Sequence, residues 1–111
     1  MPKRLLRLNS LLKREISQII LREFDFPLDV LVTITRVETS SNLIDSSVWV
    51  SVLPDGKKDE IMSLLEKGVY SIQQNLNDKL RMRPVPKLRF LEEKLTVEAG
   101  KVEGLLERLK K

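Results

Sequence analysis

Near the amino terminus, apolar residues recur in steps of three and four. Leu5, Leu8, Leu12, Ile16, Ile19 and Ile20 form one stripe of a helix predicted from Lys3 to Phe24. At about 100° per residue, Arg4, Arg7, Arg14, Gln18 and Arg22 collect on a different stripe of the same helix. Asp25, Phe26 and Pro27 break it, because proline disfavours helical geometry in the residue before it. The period then changes to two. Over Leu31–Thr39, Val32 and Ile34 alternate with Thr33 and Thr35, a half-buried strand pattern. The apolar phase slips at Val37, which predicts a twist or bulge there.

The polar stretch Thr39–Ser46 supplies turn residues, and a second strand follows over Ser47–Leu53. Val48, Val50 and Val52 face one way; Ser47, Trp49 and Ser51 face the other, with Trp49 expected to cover the outer sheet surface. Pro54, Asp55 and Gly56 stop the strand. A second helix is predicted from Lys58 to Leu80, with Ile61, Leu65, Val69, Ile72, Leu76 and Leu80 as its stripe. Gly68 sits in its interior, where glycine costs on the order of 1 kcal/mol relative to alanine. That position predicts a kink or a close backbone approach. Lys67, Tyr70, Gln74 and Asn77 lie opposite the stripe. Pro84 and Pro86 end the helical region, and Lys87–Leu91 reads as a third strand with Leu88 and Phe90 inward. Val102, Leu105, Leu106 and Leu109 suggest a short amphipathic helix from Val97 to Leu109. The expected order is α-β-β-α(kinked)-β-α, an α+β two-layer sandwich with a three-stranded sheet and helices on one face.

The chain has 111 residues, which fits one domain over residues 1–111. Hydrophobic residues make up 41% and charged residues 32%, the balance of an ordinary soluble domain. Charges interrupt the basic amino terminus, so it does not read as a secretory signal, and no apolar run approaches the roughly 20 residues that span a bilayer. With neither cysteine nor histidine, thiolate chemistry, disulfides and the commonest metal ligand are absent. No glycine-rich phosphate loop, paired-carboxylate site or calcium-loop spacing occurs, and Glu92 and Glu93 are adjacent, so in a strand they diverge. The expectation is a non-enzyme without cofactor or metal.

The net charge is +4, and its distribution is uneven. Lys3, Arg4, Arg7, Lys13 and Arg14 stand without an acid in residues 1–14, and Lys79, Arg81, Arg83, Lys87 and Arg89 without one in residues 79–91. Between them, residues 23–56 carry Glu23, Asp25, Asp29, Glu38, Asp45 and Asp55 against Arg36 alone. Such polarity predicts one positive and one negative face, and a positive face is the footprint of a nucleic-acid binder. The candidate RNA contacts are Arg4, Arg7 and Arg14 on the first helix and Lys67, Gly68, Tyr70, Gln74 and Lys79 along the kinked one. Arg81, Arg83, Lys87 and Arg89 complete the set around the prolines. Arginine offers a planar fork suited to phosphate oxygens, and an exposed tyrosine can stack on an unpaired base. These cations are expected to meet in a single surface. The rival from another class is a protein-interaction module whose basic patch binds an acidic partner.

Four runs carry a family resemblance: EISQIIL at Glu15–Leu21, VTITRVETSSNL at Val32–Leu43, VWVSVL at Val48–Leu53 and RMRPVPKLRF at Arg81–Phe90. In this order and spacing, from about Leu5 to Leu109, the chain resembles the ribosome-binding factor A family. The resemblance implies a KH-like fold of type II and a cytoplasmic, monomeric ribosome biogenesis factor. It also implies binding to free, immature 30S subunits through 16S rRNA near the decoding region, with roles in 5′-end rRNA processing and cold adaptation. The family's Ala-any-Gly kink falls on Gly68, Val69 and Tyr70, where glycine takes the first place and tyrosine the third. Asn42 and Ser46 stand where the family commonly has Asp and Ala, and Trp49 where it often has Tyr; these read as surface and sheet changes.

Overall fold

The computed structural model describes residues 3–93, so the expected helix over Val97–Leu109 lies outside the described residues. Helix α1 spans Lys3–Glu23 and buries Leu5, Asn9, Leu12, Ile16, Ile19 and Ile20. This is the predicted stripe, with Leu8 half-buried at its margin and one polar residue added. Asn9 is satisfied there because its Oδ1 accepts the Thr39 amide at 3.0 Å.

Strand β1 covers Leu31–Thr39, β2 covers Asp45–Leu53 and β3 covers Lys87–Glu92. They lie in the order β1-β2-β3, with β1 and β2 antiparallel and β2 and β3 parallel. The register slips between Ile34 and Arg36, so a bulge lies at the phase change read in the sequence. It returns Val37 and Thr39 to the buried side after Ile34. Strand β2 begins two residues earlier than expected, at Asp45, and this corrects the reading of Ser46 as a surface change. Ser46 is fully buried, its hydroxyl 2.8 Å from that of Thr39. A hydroxyl is tolerated there because its partner lies across the ladder.

A short 3-10 turn, Asp55–Lys57, leads into α2, Lys58–Lys67, and α3, Val69–Lys79. The long predicted helix is thus two helices meeting at Gly68, whose φ of −94° and ψ of 3° leave the helical region. A parallel pair needs a long connection, and α2 and α3 supply it between β2 and β3. The helices cover one side of the sheet. Helix α1 packs chiefly on β1 and α2 on β2 and β3, and Leu12, Ile16, Ile19, Ile34, Val48, Val50, Ile61, Leu65, Ile72 and Leu76 share one core. Each such side chain contributes on the order of 1.5–3 kcal/mol when fully buried. Among the described residues, no helix covers the other side of the sheet. There Arg36 lies over the Trp49 ring at 3.9 Å from its centroid and pairs with Glu38 at 3.2 Å and Glu93 at 3.4 Å. The arrangement is an α+β, KH-like sandwich with a mixed three-stranded sheet.

Candidate nucleic-acid interface

Helices α1 and α3 run side by side in opposite senses. The start of α3 meets the end of α1, because Gly68 lies against the Phe24 ring. The end of α3 meets the middle of α1, where Lys79 Nζ is 3.7 Å from Glu15 Oε2. Their outward surfaces therefore adjoin. Arg4, Arg7 and Arg14 are exposed on one helix, and Gln74 and Lys79 on the other. Between turns of α1 lies a shallow depression of about 360 Å³, lined by Leu6, Arg7, Ser10, Leu11 and Arg14. Glu15 contacts both Arg14, at 3.7 Å, and Lys79. One carboxylate between two cations orients both and leaves the cluster net positive. Arg4 and Arg7 make no ion pair among the described residues.

The kink has a steric cause. A Cβ on Gly68 would overlap the Phe24 ring, which is itself stacked on Phe26 with centroids 5.6 Å apart and planes 3° from parallel. Gly68 is half-buried under this pair, so its role is the close packing of α1 on the α2–α3 junction. Lys67 and Tyr70 flank it and point outward, and Tyr70 is 75% exposed.

The segment between α3 and β3 passes from the helix layer to the sheet. Gln73 holds it. Its Nε2 donates to the Pro86 carbonyl at 3.0 Å, and its Oε1 accepts the Leu88 amide at 2.9 Å. Arg83 turns back on the same segment, donating to the carbonyls of Leu80 and Met82, each at 2.7 Å. Part of its fork thus braces the chain. Arg81 is exposed one residue beyond buried Leu80. On β3, the alternation that buries Leu88 and Phe90 sends Lys87 and Arg89 to the other side of the sheet. In register, Lys87 stands beside Asp45, and Arg89 beside Ser47, which itself pairs with Glu38.

The expectation of a single cationic surface is therefore corrected. Arg4, Arg7, Arg14 and Lys79 belong to the helix layer, and Lys87 and Arg89 to the opposite side of the sheet. Arg81 and Arg83 lie on the crossing between them. The period of two in β3 makes this unavoidable, because its core-facing residues and its cations alternate. What the fold builds is two cationic regions, one on the helix layer and one on the far side of the sheet, with Arg81 and Arg83 on the segment that passes between the layers. Sequence reading did not single out Gln73 or Glu15, which position these cations. The signal open to it for Gln73 was the i,i+4 spacing to Asn77, and the two side chains do bond at 3.2 Å.

Among the described residues, no group of acids could hold a metal ion, and no helix is long and apolar enough to cross a membrane. The profile of the family described as ribosome-binding factor A matches residues 4–106. A ribosome-binding factor A from Bdellovibrio bacteriovorus is 35% identical over 108 residues, spanning 96% of this chain and 81% of that protein. One from Halothermothrix orenii is 34% identical over 105 residues, spanning 94% and 86%. The crystal structure of ribosome-binding factor A from Thermus thermophilus superposes with a TM-score of 0.71 at 24% identity, covering 84% of this chain and 99% of that one. A solution structure of a Thermotoga maritima protein described as a putative ribosome binding factor A gives 0.69 at 22%, covering 85% and 92%. Extent of match, identity to the relatives and shared architecture agree: the chain belongs to the ribosome-binding factor A family.

Proposed function

We propose that this chain is a small-subunit assembly factor that binds the immature 30S particle through 16S rRNA and assists its late maturation and 5′-end processing. It works in the cytoplasm as one monomeric KH-like domain, by binding and without bond chemistry. The observation that carries this reading is the family match over residues 4–106, taken with the exposed cations of α1, α3, β3 and the segment before β3. A relative from Thermus thermophilus has been fitted into a map of a 30S complex, which supports the same partner here. In this reading Arg4, Arg7, Arg14, Lys79, Arg81, Lys87 and Arg89 contact phosphates. Tyr70 offers a face to an unpaired base beside Lys67 and Gln74. Arg83 and Gly68 act mainly by holding the RNA-facing segments in place.

The test is co-sedimentation of the full chain with purified free small subunits over a salt series. If all seven cations neutralise phosphates, log affinity falls against log salt with a slope of roughly −5 to −6. Charge reversal of Arg4, Arg7 and Arg14 together is expected to abolish co-sedimentation while leaving the circular dichroism spectrum unchanged. A folded variant that still sediments at wild-type level removes α1 from the interface. Recovery with an acidic soluble protein and no ribosomal RNA overturns the reading.

A further inference from the structure

Where β1 begins and β2 ends, the surface changes character. Leu31 and Leu53 are cross-strand partners in the register, yet Leu31 is 60% exposed and Leu28 fully exposed. Leu28, Asp29, Val30, Leu31, Leu53 and Pro54 line a shallow depression of about 420 Å³. No lysine or arginine lines it. Asp29 lines it and Asp25 stands three residues before Leu28; both are exposed and make no ion pair among the described residues. Asp55, next to Pro54, is 87% exposed at its side chain while touching Lys58 at 3.4 Å. Leucines that no other described residue covers, beside carboxylates of which Asp25 and Asp29 make no ion pair among the described residues, are the pattern of a protein-contact site.

We infer that this corner is a docking site for a basic, leucine-bearing segment of a partner protein. The charge decides the occupant. A phosphate backbone is repelled by Asp25 and Asp29 and finds no cation lining the depression, so the corner is closed to RNA. A symmetric contact with a second copy would set Asp29 against Asp29. A lysine- or arginine-bearing helix instead places its leucines on Leu28, Leu31 and Leu53 and its cations on the acidic rim. The lining of the site shares no residue with the proposed RNA contacts.

The experiment is an NMR titration of the full chain, isotopically labelled, with a short amphipathic leucine–lysine peptide and with its leucine–glutamate counterpart. The leucine–lysine peptide is expected to saturate and to shift the amides of Leu28, Asp29, Leu31, Leu53 and Asp55. Leu28→Ser, a change at a fully solvated side chain, is expected to weaken it about tenfold. Asp25→Asn with Asp29→Asn is expected to weaken it and to flatten its salt dependence. Equal binding of the glutamate peptide overturns the proposal, as do shifts confined to α1 and β3. Shifts of the same amides by oligouridine assign the corner to RNA instead, and concentration-dependent shifts without peptide assign it to a second copy; either overturns it.

Discussion

Gly68 is the residue whose meaning changed most between chain and fold. Glycine lowers helix propensity, but the space above its Cα is filled by Phe24. Alanine would gain on the order of 1 kcal/mol of propensity and lose more by pushing a stacked ring. Gly68→Ala is expected to destabilise by about 1–2 kcal/mol in urea unfolding, and to be neutral or stabilising when Phe24→Leu clears the space. Additive effects in that double-mutant cycle would show that the ring does not set the residue. Lys58 makes a different residue-scale prediction. Its pKa is raised from 10.5, first by its hydrogen bond to Glu92 and then by the charges of Asp55 and Glu92, against a small loss to desolvation. A cation held above its unfolded pKa contributes fully below about pH 10.5 and loses that contribution as pH rises through the folded value. The difference in thermal midpoint between wild type and Lys58→Met should stay constant from pH 7 to about 9.5 and shrink above 10.5. A gap that widens with pH would refute the assignment.

At the scale of elements, the link from α3 to β3 decides where the basic segment stands. Two prolines alone do not hold it, since neither has an amide to donate. Gln73 does, committing both ends of its amide to Pro86 and Leu88. Gln73→Leu leaves a half-buried carbonyl and an amide without partners and is expected to cost about 1–3 kcal/mol. It should also weaken small-subunit binding with the net charge unchanged. Gln73→Glu keeps the acceptor for Leu88 but not the donor for Pro86, and should fall between. Wild-type binding by a folded Gln73→Leu protein would mean the segment needs no such anchor. Much of this scale was legible in the chain. The steps of three and four in α1, the alternation in β2, the phase slip at Val37 and the stop at Pro54 each report a local geometry. Gln73 was not legible, because its partners sit on another element and its neighbours in sequence say nothing of them.

For the whole molecule, the arrangement of charge matters more than its total. Helices and sheet present their cations on opposite sides, with Arg81 and Arg83 on the segment between the layers. In the proposed reading, an RNA that meets all of these cations reaches both layers rather than lying flat on one face. Arg7→Ala and Arg89→Ala, on separate layers and without shared partners, should therefore weaken small-subunit binding additively, within about 0.5 kcal/mol. If Arg89→Ala has no effect while Arg7→Ala does, contact is limited to the helix layer. The lining of the acidic, leucine-bearing corner at Leu28 shares no residue with the proposed RNA contacts, so separate substitutions test the two proposals.

By itself, the order of residues determined the elements, the bulge, the kink and the separation of charge along the chain. All of these depend on near neighbours, whose spacing sets which side of a helix or strand a residue takes. Only the tertiary structure decided which of those sides meet. It set Phe24 over Gly68, buried Ser46 against Thr39 and brought Lys79 to Glu15. Each of these is a contact between segments distant in sequence, created by packing rather than by local preference.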